Sequence, residues 1–161
     1  MPNPLIFPVN IALAAFVSWE KVLMLLVVDD HGDIRNALVH LLASAGYEVA
    51  GVGSGEEALA FLASHDVSLV VLDYNMPGMN GLTVFLEMKK DERLRNIRVV
   101  MFSADAGKTR ERALGFGVDA YVVKGSLDWV KLESEIVRLV GPGKGAKKMP
   151  RYPKSRTKDA G

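Results

Sequence analysis

The chain contains no cysteine, which excludes disulfides, thiolate metal sites and thiol catalysis. A long apolar run is also missing. The run from Ile11 to Val17 is bounded by Asn10 and Ser18, well short of the roughly 20 apolar residues that cross a bilayer. No Lys or Arg precedes Lys21, so the start lacks the basic head of a secretory signal. Three further motifs are incomplete. Gly51, Gly53 and Gly55 alternate, but they follow the second apolar segment, not the first, and lack full G-x-G-x-x-G spacing; they read as a flexible turn. Asp73, Asn75 and Gly78 resemble the start of a calcium loop. Pro77 stands at its fifth position, however, and Val84 at the twelfth, where a bidentate Glu is required. His31, His40 and His65 have no spacing that gathers them around a metal and are expected as isolated surface residues.

What is present suits a globular domain. The 161 residues are 49% apolar and 24% charged, enough for one domain with a substantial core. The net charge of +1 hides an asymmetry. Residues 141–161 carry seven Lys/Arg against one acid, and the other 140 residues carry 13 basic against 18 acidic side chains. The body is therefore acidic, and the tail is basic, Pro- and Gly-rich and without apolar period. The tail reads as disordered and solvated, so a nucleic-acid partner is not expected. Residues 1–20 fit no element. They read either as a loosely packed extension or as sequence ahead of a mis-assigned start, because Met24 would open the chain naturally. A membrane partner is not expected either, and the expected location is cytoplasmic.

Between these ends the pattern alternates. Short apolar runs at Val22–Val28, Tyr47–Val52, Leu69–Leu72, Ile97–Phe102 and Ala120–Val123 read as strands buried on both faces. Between them lie amphipathic stripes. Ile34, Ala37, Leu38, Leu41 and Leu42 form one, closed by Gly46. A second runs over Ala58 to Leu62 behind Ser54 and Glu57, a capping box. Leu82 to Met88, Thr109 to Leu114 and Leu127 to Val140 supply the rest, and Gly141-Pro142-Gly143 stops the last. Five β-α units predict an α/β domain over residues 21–140, with parallel strands, right-handed crossovers and helices on both faces.

Four of the five strands end in reactive or ion-binding residues: Asp29 and Asp30, then Asp73, Ser103 and Lys124. In a parallel sheet these ends share one edge, where ligands bind. Three carboxylates close together repel unless a cation joins them. Mg²⁺ suits them, since it takes a few carboxylates and leaves room for phosphate oxygens. Lys124 supplies a point charge for a phosphoryl oxygen and Ser103 a hydrogen bond, while small Ala104 leaves the approach open. Asp73 is then a candidate nucleophile forming an acyl phosphate. Each residue alone has a plain alternative as a solvated Lys or a helix cap; the whole set on one edge is much harder to dismiss.

These residues resemble the receiver domain of two-component response regulators. The resemblance covers about Lys21 to Val140 and rests on VVDD at 27–30, the D-x-N-M-P-G-M-N-G segment from Asp73, Ser103-Ala104, and Tyr121 three residues before Lys124. It implies a flavodoxin-like (βα)5 three-layer sandwich with strand order 2-1-3-4-5. Asp73 would be the phosphoacceptor. Asp29, Asp30, Asp73 and the backbone carbonyl of Asn75 would hold Mg²⁺, with Asp29 acting through water. Ser103 and Lys124 would hold phosphoryl oxygens, and Ser103 with Tyr121 would form the switch that repacks the face of helix four, strand five and helix five. The phosphate would come from a histidine kinase or histidine phosphotransfer protein. The receiver would catalyse its own phosphorylation and slow dephosphorylation, and then bind a downstream protein or a second copy through the switched face.

One departure stands out. Members usually carry Lys-Pro where this chain has Lys124-Gly125, which leaves the placement of Lys124 open. Residues 141–161 are too short for an output module, so a single-domain receiver is expected. The alternative is a receiver-like interaction module that no longer uses phosphate. A phosphatase of the haloacid-dehalogenase type would need an Asp two residues after Asp73, and Asn75 stands there.

Overall fold

The structure is a computed structural model and describes residues 22–125 and 129–144. Its elements alternate along the chain: β1 Met24–Val28, α1 Gly32–Ser44, β2 Glu48–Val52, α2 Gly55–Ser64, β3 Leu69–Leu72, α3 Gly81–Lys90, β4 Arg98–Ser103, α4 Lys108–Gly115, β5 Ala120–Val123 and α5 Trp129–Val140. The strands form one sheet in the order β2-β1-β3-β4-β5, and every pairing is parallel. This is the order the resemblance implied.

Side chains along a strand alternate between faces, which divides the core in two. Leu26, Val28, Val70, Leu72, Val99 and Met101 pack under α2, α3 and α4. Leu25, Val27, Leu69, Val71, Val100 and Phe102 pack under α1 and α5. Because both faces are covered, all four residues of β3 are buried. No helix among the described residues is long and apolar enough to cross a membrane.

Boundaries differ from the sequence reading where the backbone is used elsewhere. Val22 is 43% exposed and pairing starts at Met24 opposite Glu48. Tyr47 does not join β2, because its N–H donates to the Leu42 carbonyl at the end of α1. With the Gly46 N–H bonded to Ala43 and Gly46 at φ +89°, this is a Schellman stop. Ile97 is held in a turn by Leu94, so β4 shifts one residue and takes in Ser103. The expected first turn of α5 from Leu127 lies outside the described residues, as do residues 1–20 and the tail beyond Lys144. The described start of that tail folds back. The Tyr47 hydroxyl donates to the Gly141 carbonyl at 2.8 Å and the Lys144 N–H to the Gly46 carbonyl at 2.8 Å.

The alternating glycines are not a flexible turn. Gly51 lies within β2, and Gly55 is the buried first residue of α2. The cap is half as expected: Ser54 Oγ accepts the Glu57 N–H at 3.1 Å, but the Glu57 carboxylate reaches back to the Gly53 N–H at 2.9 Å, one residue earlier than in a capping box. A Cβ on Gly55 would stand 2.6 Å from Val84 Cγ2 and 3.0 Å from Met79 Cβ. Val84 is fully buried and stiff at χ1, so it has little room to yield.

Gly55→Ala is therefore expected to destabilise the domain. Overpacking of about 1–3 kcal/mol outweighs the roughly 0.5–1 kcal/mol that Ala gains over Gly in a helix. A lower urea midpoint at unchanged slope is the expected result, and an equal or higher midpoint contradicts the packing account.

Candidate functional site

The register of the sheet brings the strand ends together. Val28 pairs with Leu72, so the next residues, Asp29 and Asp73, leave the sheet side by side. The Asp73 N–H donates to the Val28 carbonyl at 2.8 Å, and the Asp29 N–H to the Val52 carbonyl at 3.2 Å. The Lys124 N–H donates to the Ser103 carbonyl at 2.7 Å, which extends the last rung between β4 and β5.

Asp29 is 1% exposed, Asp73 4% and Ser103 0%. Lys124 Nζ lies between the two carboxylates, 2.6 Å from Asp29 Oδ2 and 3.1 Å from Asp73 Oδ2. The glycine after Lys124 thus does not misplace the ammonium. The Lys124–Gly125 peptide is trans, and the Gly125 N–H donates to the Val123 carbonyl at 2.8 Å, a bond proline cannot make.

Burial pushes the Asp73 pKa up, and the nearby Asp29 charge adds to it. The Lys124 ammonium and the Asn75 backbone N–H oppose the rise without cancelling it. Close packing fixes the approach to this residue. A Cβ on Gly81, at the start of α3, would fall 2.1 Å from the Asp73 carbonyl oxygen. Only glycine lets α3 start directly against the strand end. Asn80 caps that helix by accepting the Thr83 N–H at 2.9 Å, and Asn75 is exposed in the loop between.

Asp30 adds a third carboxylate. His31 follows, and the expectation of an isolated histidine fails for it. Its side chain is exposed, but Nδ1 lies 3.1 Å from Asp30 Oδ1 and 3.5 Å from Asp29 Oδ1. Its backbone N–H donates to Asp29 Oδ1 at 2.9 Å. Asp29, Asp30, His31 and Asp73 each offer one ligand atom, all within 4.8 Å of one another. The sequence signal was available, since His31 directly follows the paired acids, but comparing histidines only with each other missed it. His40 and His65 are exposed and lie outside this group.

Two buried side-chain atoms among the described residues make no hydrogen bond: Asp30 Oδ1, whose 3.1 Å approach to His31 Nδ1 is a charge contact and not a hydrogen bond, and Ser103 Oγ. Both belong to this site. Buried polar atoms are rarely left unsatisfied, so the pair marks where further oxygen or cation ligands fit. Three carboxylates in one cluster match a hard divalent cation, and the residues present fit Mg²⁺.

Tyr121 stands beside the site in the core under α2, α3 and α4, 4% exposed. Its hydroxyl donates to the Asp105 carbonyl at 2.6 Å, in the loop after β4. Burial raises its pKa, and the neighbouring Ser103 hydroxyl lowers it in part. The Ser103 oxygen is close but makes no aligned bond with Tyr121.

A family model described as the response regulator receiver domain matches residues 25–135. The chemotaxis protein CheY of Pseudomonas aeruginosa is 36% identical over 102 residues, 62% of this chain and 82% of that protein. CheY1 of Helicobacter pylori is 38% identical over 103 residues, 62% of this chain and 83% of that protein. Among solved structures, response regulator protein TrrA of Thermotoga maritima, crystallised with Mg²⁺ and BeF, superposes with a TM-score of 0.67 at 34% identity. That match covers 73% of this chain and 99% of TrrA.

The raised Asp73 pKa has a definite sign in stability. The fold holds this proton more tightly than the unfolded chain does. The stabilisation is thus fully present below the ordinary carboxylate value and is lost as pH rises through the raised value. Asp73→Asn, which resembles the protonated form, is expected to exceed the wild type in stability at neutral pH without metal. The advantage should shrink on acidification into the ordinary carboxylate range. Urea unfolding in chelator across that range checks this, and a difference independent of pH contradicts it.

Proposed function

The chain belongs to the response regulator receiver family, and we propose that it accepts a phosphoryl group on Asp73 from a phosphohistidine of a histidine kinase or histidine phosphotransfer protein. The observation that carries this reading is the pair of buried oxygens that make no hydrogen bond, Asp30 Oδ1 and Ser103 Oγ, in the same site as a carboxylate already touched by a lysine.

The residues divide the work. An oxygen of Asp73 attacks phosphorus, the P–N bond breaks, and its electron pair returns to the imidazole nitrogen, which takes up a proton. Lys124 and the Ser103 hydroxyl hold the equatorial phosphoryl oxygens as charge spreads over them. Asp30, Asp73 and the Asn75 carbonyl would hold Mg²⁺, with Asp29 assisting. Bound there, the ion would supply positive charge to offset the negative charge of the site. In the reverse phase water attacks phosphorus, the bond to Asp73 breaks, and carboxylate and inorganic phosphate are left. The receiver thus catalyses its own loading and slow unloading.

The readout is a change in packing. Ser103 turns toward the phosphoryl group, and the loop that carries Asp105 and anchors Tyr121 follows. The surface affected is α4, β5 and α5, which binds a downstream protein or a second copy. Leu114 and Phe116, 39% and 50% exposed near the end of α4, support a contact surface there. The location is the cytoplasm.

Acetyl phosphate with Mg²⁺ is expected to add the mass of one phosphoryl group to the intact protein, and Asp73→Asn is expected to add none. The Trp129 ring, 5.6 Å from Phe102 beside Lys124, should report beryllofluoride binding by fluorescence in a Trp19→Phe background. An unchanged mass and an unchanged spectrum would leave a phosphate-independent interaction module instead.

A further inference from the structure

Asp29 has a partner on every polar group. Its N–H is held by Val52, Oδ1 by the His31 N–H and Oδ2 by Lys124. Its backbone carbonyl accepts from Arg35 Nη1 at 2.7 Å, and this bond is partly buried. Arg35 lies in the second turn of α1, so it ties the helix to the loop from which that helix departs.

The berth of Arg35 accounts for glycines that the phosphorylation chemistry does not use. A Cβ on Gly51 would stand 3.1 and 3.3 Å from Arg35 Cγ and Cδ, as well as 3.0 Å from Val39 Cγ2. A Cβ on Gly53 would stand 3.3 Å from Arg35 Nη1. The side chain therefore lies across the end of β2, in space left by missing side chains, before it reaches Asp29.

The geometry points to Arg35 as a positioning residue for the metal and phosphoryl site, acting through the Asp29 main chain, with Gly51 and Gly53 as its berth. It sets the direction in which Asp29 and Asp30 leave β1. This inference rests on the reading of the acidic cluster as an Mg²⁺ site. Its sign separates positioning from plain electrostatics. Arg35 carries positive charge near a cation site, so its removal would tighten Mg²⁺ binding if charge alone mattered. A positioning role predicts the opposite.

The experiment titrates Mg²⁺ into the full chain, followed by Trp129 fluorescence in the Trp19→Phe background, and measures backbone amide exchange without metal. Arg35→Ala is expected to weaken Mg²⁺ affinity about tenfold or more, the usual effect of losing a residue that orients metal ligands. Arg35→Lys, which keeps charge and a donor, should recover part of it. Without metal, Arg35→Ala should speed His31 amide exchange about tenfold, the equivalent of one hydrogen bond, with α3 and β4 unchanged. Gly51→Ala should weaken Mg²⁺ binding in the wild type but less in Arg35→Ala, since the two share one contact. Unchanged or tighter Mg²⁺ binding with unchanged His31 exchange in Arg35→Ala overturns the proposal. If the wild type itself binds no Mg²⁺, the phosphorylation reading fails, and the exchange measurement still decides the role of Arg35.

Discussion

Everything at this site depends on charge held where water is nearly absent. Asp29 and Asp73 are almost fully buried, and one ammonium, that of Lys124, reaches both. Like charges this close cannot both stay ionised unless something opposes them. Lys124 offsets one of the three carboxylates. With all of them ionised, two negative charges remain, which matches one divalent cation. The cluster is thus poised rather than satisfied. The raised Asp73 pKa and the two buried oxygens that make no hydrogen bond are separate signs of the same imbalance.

The sheet makes that imbalance possible. A parallel sheet covered on both faces is dry to its last rung, and its register decides which residues emerge together. Asp29 and Asp73 meet because Val28 pairs with Leu72. Lys124 arrives because Ser103 is still in the ladder opposite Val123. Small residues then let the surrounding loops close in. Gly81 brings α3 against Asp73, Gly55 brings α2 against Val84, and Gly51 makes room for Arg35.

Much of this was legible in the chain. The apolar runs located all five strands within one or two residues, because strands buried on both faces leave an unbroken signal. The misses came where a local hydrogen bond took a residue out of the ladder, as at Tyr47 and Ile97. The glycines were misread because spacing says where a side chain is missing but not what fills the gap. His31 was misread because its partners are the neighbouring acids and not other histidines.

The sequence by itself determined the alternation of elements, the two-sided burial of the strands and the residue types at their ends, since periodicity and composition carry these directly. Only the tertiary structure decided how those ends are wired. It placed Lys124 between two carboxylates despite the glycine that follows, left Asp30 Oδ1 and Ser103 Oγ without a hydrogen bond, and laid Arg35 across two glycines onto Asp29. The physical reason is range. Periodicity is a property of neighbours along the chain, whereas electrostatic balance at a strand edge joins residues as far apart as Asp29 and Lys124, and only the register of the sheet brings them within a hydrogen bond.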